Sequence, residues 1–152
     1  MGRELSRVIP NARYIPRGVK TVEKLASMAG SLGQRWVMVI NSSAGRPKEL
    51  RFLSVGEGWR WLDKKVELGD VKLQRDLGRL VRFEEMKIYA EEGSARELAA
   101  FLGEVFGVPV VERLPETGGT MLITTNSGLK IQFQRRPGPE FTGPLLQVIG
   151  FG

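Results

Sequence analysis

Residues 35–53 constrain the fold of this chain more than any other stretch. They open with an unbroken apolar run at 36–40, of the kind that forms a strand buried on both faces of a sheet. The next segment, 41–49, is rich in turn-forming residues and contains two cations. Residues 50–53 return to apolar character. The pattern therefore predicts two strands that hold a rigid basic loop at the edge of a sheet.

Amphipathic helices are predicted on either side of this stretch. Residues 21–32 carry apolar side chains at helical spacing, and Thr21 is a good N-cap. A later helix begins at Ser94 and Glu97, which have the spacing of a capping box. Gly107 follows its apolar stripe, where glycine commonly ends a helix. We expect both helices to pack one face on a sheet.

Strand patterns alternate with these helices. Residues 108–114 are mostly apolar, and residues 121–125 and 129–134 flank an Asn-Ser-Gly turn that predicts a hairpin. Residues 145–149 read as a last strand. The segment 70–77 fits either a strand pair or a short helix. The alternation indicates an α/β protein.

Two segments of the chain match in kind. Residues 8–16 and 105–115 each run from a helix end through a tight turn and a strand to a proline. We therefore expect a single domain over 1–152, made of two similar α/β halves at approximately 1–78 and 79–152. Chance similarity between two α/β units is the alternative.

The absence of Cys and His limits the chemistry of the chain. It excludes disulfides, thiol nucleophiles, metal sites built on these residues and triads with an imidazole base. No phosphate-binding glycine loop is present. We expect no enzymatic activity, no cofactor and no metal. No apolar run approaches the about 18 residues of a membrane helix, and the first residues lack a signal-peptide pattern, so we expect a cytoplasmic protein.

Positive charge is concentrated in the first third of the sequence. Residues 1–50 hold nine basic and three acidic side chains, residues 51–100 hold ten of each, and residues 101–152 hold four of each. The net charge of +6 therefore originates before residue 51. A localised excess of this kind is typical of proteins that bind a phosphate backbone, although a solvated basic surface is the simpler alternative.

The candidate RNA-binding residues are basic side chains next to turn-forming residues. Two groups lie in the first third, one around the turn before the 21–32 helix and one in the predicted basic loop, and a third lies next to Pro137. They are Arg13, Arg17, Lys20, Lys24, Arg46, Lys48, Arg135 and Arg136. Arg17 is favoured because Pro16 and Gly18 restrict the backbone on both sides of it.

Three tryptophans offer aromatic surface. Trp36 begins the predicted buried strand and is expected in the core. Trp59 and Trp61 alternate on a strand, so both should face one side, with Arg60 between them. They suit packing under a loop or against a partner, and stacking on RNA bases is the alternative.

Several motifs resemble the Brix domain. The sequence IPNARYIPRG at 9–18, then a helix, then WVMVINSSAGRPKELRFL at 36–53 is similar to the first half of that family. The segment Ala44-Gly45-Arg46-Pro47 resembles the family's RGNP-like loop, and residues 142–148 are similar to its closing strand. The resemblance spans most of the chain, and the compact size looks like the archaeal single-domain members.

The resemblance implies a non-catalytic role in ribosome assembly. Ribosomal RNA or a pre-ribosomal particle is the implied partner, and docking of another assembly factor is the alternative. No membrane or DNA partner is expected. The resemblance also implies two α/β halves, each like the anticodon-binding domain of class II aminoacyl-tRNA synthetases.

The chain departs from the family pattern at three places. The loop has Gly-Arg-Pro where the family has Arg-Gly-Asn-Pro, and Leu145 stands where the closing motif has Arg. The family's usual opening strand is also absent before Gly2, so either a strand of the family is missing here or the start of the chain is misassigned.

Overall fold

The computed structural model describes residues 1–73, 82–138 and 141–152, and these residues combine helices with many strands. The helices are α1 (Gly2–Val8), α2 (Val22–Ser31) and α3 (Ser94–Phe106). The strands are β1 (Trp36–Ser43), β2 (Arg46–Val55), β3 (Trp59–Trp61), β4 (Val66–Lys72), β5 (Met86–Ala90), β6 (Val110–Val111), β7 (Gly118–Thr124), β8 (Leu129–Arg136) and β9 (Phe141–Phe151). The predicted mixed α/β class is confirmed.

The chain divides into two compact units. The first unit comprises Met1–Tyr14 and Gly69–Ile149, and the second comprises Ile15–Leu68 and Gly150–Gly152. Strands β4 and β9 therefore contribute residues to both units. The predicted division into similar halves at 1–78 and 79–152 stays a prediction.

The first unit is built on a sheet with mixed strand directions. Strand β5 pairs in parallel with both β6 and β7. Strands β7, β8 and β9 continue the sheet as antiparallel neighbours. Helix α3 connects β5 to β6, because parallel strands need a crossover connection. Helix α3 contacts β5, β6 and β7, and this packing buries the core of the unit.

Helix α3 lies where the sequence predicts it, but it begins differently. It buries Leu98 and Leu102, and Gly107 ends it in the left-handed conformation at φ 66°. The predicted capping box is wrong. Gly93 is the N-cap and Ser94 is already helical, so the Ser94 side chain makes no capping hydrogen bond. The first helical N–H groups instead bond to the carbonyls of residues 92 and 93.

The β7–β8 hairpin around residues 126–128 is confirmed. Strand β7 begins with two glycines, Gly118 and Gly119. Gly119 meets a packing requirement. A Cβ atom there would lie 2.6 Å from the Phe83 ring and 2.7 Å from the carbonyl oxygen of Glu85. A side chain at this position would therefore displace its neighbours.

The second unit is built on antiparallel strands. Strand β2 pairs with β1 along its length, and it also pairs with β4 near Leu50 and with β3 near Ser54. Helix α2 packs on β1 and β2. Its predicted N-cap is confirmed, since Oγ1 of Thr21 accepts a hydrogen bond from the backbone N–H of Lys24 at 3.2 Å.

Strand β1 is less buried than predicted. Only Val39 among its eight residues is buried, while Trp36 and its apolar neighbours are half-buried. Within the described residues, β1 pairs with β2 alone and so forms an edge of the unit. An edge strand has a neighbour on one side only, which leaves its apolar side chains partly in contact with solvent.

The predicted basic loop at 41–49 is mostly strand. Only Ala44 and Gly45 separate β1 from β2, with φ values of 52° and 77°. Positive φ at both central residues defines the two-residue turn whose twist matches that of paired strands, so the ladder continues up to it. The ambiguous segment 70–77 begins in β4, and its part beyond residue 73 lies outside the described residues.

Candidate nucleic-acid interface

The net positive charge is concentrated in the second unit. That unit contains ten basic and five acidic residues, whereas the first contains thirteen basic and twelve acidic. Since like charges on one folded unit raise its surface potential, the second unit is the better attractor of a polyanion. Five of the eight predicted RNA-binding residues belong to it: Arg17, Lys20, Lys24, Arg46 and Lys48.

The turn before α2 is fixed by its own hydrogen bonds. The N–H of Lys20 donates to the carbonyl of Arg17 at 2.9 Å, and Nζ of Lys20 donates to the carbonyl of Pro16 at 2.9 Å. Nε of Arg17 donates to the carbonyl of Lys20 at 3.4 Å. The Lys20 side chain thus stabilises the turn. Arg17 is exposed and uses only Nε to bond within the turn, so its two terminal nitrogens have no partner among the described residues.

The first turn of α2 adds a second feature that suits an anion. Lys24 is exposed in this turn. The partial positive charge of a helix N-terminus favours phosphate groups, and a nearby ammonium group strengthens that preference. Glu23 in the same turn opposes it. The balance of local charge therefore depends on Arg17 and Lys24 together.

Arg46 and Lys48 lie on β2 immediately after the hairpin turn. Both are exposed, and neither forms an ion pair within the described part of the chain. The register of β1 and β2 shifts between Asn41 and Ser42, and this shift makes Lys48 the extra residue of a β-bulge. Bulges redirect side chains at strand ends, so Lys48 departs from simple alternation with Arg46.

Glu49 follows this basic pair directly in the sequence, and its negative charge is compensated by neighbours within the fold. Nδ2 of Asn41 donates a hydrogen bond to Oε1 of Glu49 at 2.8 Å, and Nζ of Lys65 lies 3.5 Å from Oε2 of Glu49. The hydrogen bond from Asn41, followed by the charge of Lys65, lowers the pKa of Glu49 below its ordinary value of 4.5. Its charge is therefore compensated locally, and the cations of Arg46 and Lys48 are not.

The two tryptophans of β3 have different surroundings. Both lie on the predicted strand, which pairs with the end of β2. The guanidinium of Arg51 lies 4.9 Å from the ring centre of Trp61, at stacking distance. Trp59 is 39% exposed. Arg60, between them, is exposed and was not among the predicted site residues, although its position between two aromatic residues was a usable signal.

The remaining predicted residues, Arg13, Arg135 and Arg136, belong to the first unit. Arg13 and Arg135 are exposed. Nε of Arg136 donates to the carbonyl of Pro115 at 3.0 Å, and its Nη1 lies 3.5 Å from Oε1 of Gln134. Arg136 therefore ties β8 to the segment before β7. RNA binding by these three residues stays a prediction.

The described residues contain no group of three or more His, Cys, Asp or Glu side chains arranged to hold a metal ion. None of their helices is both long enough and apolar enough to cross a membrane. The exposed cations of the second unit are thus the feature with the most defined chemistry.

Comparison with known proteins finds relatives in archaea. The chain is 40% identical over 78 residues to a probable Brix domain-containing ribosomal biogenesis protein of Pyrococcus horikoshii, which covers 51% of this chain and 34% of the relative. A protein of the same description from Methanopyrus kandleri is 29% identical over 116 residues, covering 73% of this chain and 60% of the relative. The matches thus span about a third to three-fifths of the relatives' length. No protein-family model matches the chain.

Two solved structures share the fold. A probable ribosomal biogenesis protein from Aeropyrum pernix K1 superimposes with a TM-score of 0.78 at 24% identity, covering 96% of this chain and 84% of that one. Mil, an archaeal Imp4-like protein, gives 0.70 at 18% identity, covering 99% and 87%. The sequence relatives carry the Brix name and the structural neighbours share the fold. The resemblance that the motifs predicted is therefore confirmed: the chain is similar to archaeal proteins described as Brix domain-containing.

Proposed function

We propose that this chain acts in ribosome biogenesis by binding ribosomal RNA, without catalysing a reaction. The observation that carries the proposal is a set of exposed cations in the second unit that form no ion pair within the described residues, namely Arg17, Lys24, Arg46 and Lys48. The names of the archaeal relatives support the biogenesis context. A pre-ribosomal particle in the cytoplasm is the proposed setting.

The physical basis is neutralisation of phosphates. Each cation that contacts a phosphate releases condensed counterions, so affinity falls as salt rises, with roughly one unit of logarithmic slope per contact. The turn holding Arg17 and the hairpin holding Arg46 and Lys48 are both fixed by backbone hydrogen bonds. Because these segments are already ordered, binding RNA costs little additional conformational entropy.

The test is the salt dependence of binding to ribosomal RNA fragments. Arg17→Ala combined with Arg46→Ala should weaken binding and lower the salt slope by about two units, without lowering the melting temperature. Arg96→Ala combined with Arg113→Ala is the matched control, because it removes two exposed arginines from the first unit. The control should retain most of the slope. Equal losses in both variants would show that the second unit has no special role.

The partner preference is testable in the same assay. A protein that uses the 2′-hydroxyl groups should bind an RNA fragment more tightly than DNA of the same sequence and salt. Undetectable RNA binding at low salt would contradict the proposal. Recovery of an assembly factor after nuclease treatment would instead favour the protein-scaffold alternative. We also propose that each half resembles the anticodon-binding domain of class II aminoacyl-tRNA synthetases. This proposal concerns the fold and does not depend on the RNA-binding residues.

A further inference from the structure

We propose that Trp59 is a stacking platform for one unpaired nucleobase, at the tip of the β2–β3 hairpin. The inference rests on the proposed function, since it names which part of an RNA the second unit would hold there. It concerns single-stranded bases, whereas the cations of the basic surface address phosphates. The two contributions are therefore separable by experiment.

The space beside Trp59 fits one ring system. An open cleft of about 270 Å³ is lined by Ser54, Gly56, Gly58, Trp59 and Arg60. A Cβ atom added at Gly56 or Gly58 would meet no heavy atom within 4 Å. The cleft is therefore open at both glycines, next to Trp59, which is 39% exposed. Drug-sized ligands occupy pockets of about 300–1,000 Å³, so this cleft suits a smaller group such as a single base.

The neighbouring tryptophan cannot serve in the same way. The ring of Trp61 is already stacked under the guanidinium of Arg51, with 4.9 Å from the guanidinium carbon to the ring centre. Nε of Arg51 is buried and has no hydrogen-bond partner within the described residues, and both residues of the stack are half-buried. A ligand on that face of Trp61 would have to displace the guanidinium. Trp59 is the member of the pair with surface to offer.

The charges around the cleft favour a base over a phosphate at the ring itself. Arg60 lines the cleft and is exposed, so it can contact a flanking phosphate or stack on a base. Glu57 at the hairpin tip repels a phosphate placed directly against the turn. A base is neutral and every base has a π-face, which makes stacking on an aromatic ring tolerant of sequence. The excess of cations in the second unit selects a polyanion over a neutral apolar peptide.

The experiment compares single-stranded and duplex RNA at one salt concentration. Trp59→Ala should weaken binding of a uridine hexanucleotide by about 5- to 150-fold, the range for loss of one base–aromatic stack, and should leave duplex binding nearly unchanged. Trp59→Phe should retain much of the affinity because it keeps an aromatic ring. Phe141→Ala is the matched control, since Phe141 is a similarly exposed aromatic residue, at 45%, in the first unit.

An abasic oligonucleotide of equal length isolates the stack, because it keeps the phosphates and lacks the bases. Wild type and Trp59→Ala should bind it equally. A matching loss on the abasic strand would overturn the inference, as would unchanged hexanucleotide binding by Trp59→Ala. If wild type binds RNA in a salt-dependent way and Trp59→Ala binds the hexanucleotide equally well, the proposed function stands and only this inference fails. If wild type binds no RNA at low salt, both the proposed function and this inference fail. Trp59-dependent capture of a nuclease-treated assembly factor, with RNA binding unaffected, would assign the cleft to a protein.

Discussion

The two units of this chain divide core formation and surface charge between them. Nineteen of the buried apolar side chains in the described residues lie in the first unit and nine in the second. The first unit buries six of the thirteen residues of helix α3, which packs on a mixed sheet. The second unit is smaller, with 57 residues against 95, and it combines its nine buried apolar side chains with hairpin geometry, a helix cap and polar links. It carries nearly all of the net charge, so its positive charge is spread over fewer residues and attracts a polyanion more strongly.

The largest expected effect tests the assignment of core formation to the first unit. Leu98→Ala should lower the free energy of unfolding by about 2–5 kcal/mol, because Leu98 is fully buried in α3 and its truncation leaves a cavity. Urea denaturation measures the change. The salt slope of RNA binding by the folded variant should equal that of wild type.

Glu104→Ala is the control for this substitution, since Glu104 is exposed on the same helix. Its effect should stay within about 0.5 kcal/mol. A change in salt slope caused by Leu98→Ala would break the comparison, because it would tie the core of the first unit to the binding surface.

A smaller effect tests the hairpin that displays Arg46 and Lys48. Ala44 has φ 52°, and a left-handed conformation costs an ordinary residue about 1–2 kcal/mol. Asn tolerates this conformation, and Asn-Gly is the preferred pair in a turn of this type. Ala44→Asn should therefore stabilise the protein by about 1 kcal/mol in thermal or urea unfolding.

Ser43→Asn, one residue earlier and still in β1, is the matched control and should gain little. Ala44→Asn should leave RNA affinity unchanged, because no charge moves. A destabilised Ala44→Asn variant would count against the two-residue turn described above.

The smallest expected effect concerns Glu49 and acid. Its folded pKa is lowered below 4.5, chiefly by the hydrogen bond from Asn41. The ionised form is thus favoured by folding, so its contribution is complete above about pH 4.5 and is lost as the pH falls through the lowered value. Glu49→Gln should cost less than about 1 kcal/mol at pH 7, and the difference from wild type should vanish at low pH.

Urea unfolding of both proteins across pH 3–7 gives this comparison. Glu57→Gln is the control, since Glu57 is exposed in the β2–β3 turn and forms no ion pair among the described residues. A gap between Glu49→Gln and wild type that widens on acidification would reverse the assigned sign.

Elements with local signals can be predicted from the amino-acid sequence. The apolar stripe and caps of α2, the stripe of α3 with Gly107 after it, and the Asn-Ser-Gly hairpin depend on residues within a few positions of one another. Their propensities and short hydrogen bonds act before any tertiary contact forms. The motifs that resemble the Brix domain also lie in short, ordered segments. The resemblance to that family could therefore be recognised from the sequence.

Contacts between residues distant in the chain are visible only in the folded structure. The apolar run at 36–40 does not show that β1 is an edge strand. The identity of Gly119 does not show that Phe83 packs against that glycine. The sequence placed Arg136 among the binding residues, and the fold engages it with Pro115. It paired Trp59 with Trp61, and the fold covers one ring with Arg51 and leaves the other open. Burial and pairing are sums over contacts far apart in sequence, so they are fixed only when the chain has folded.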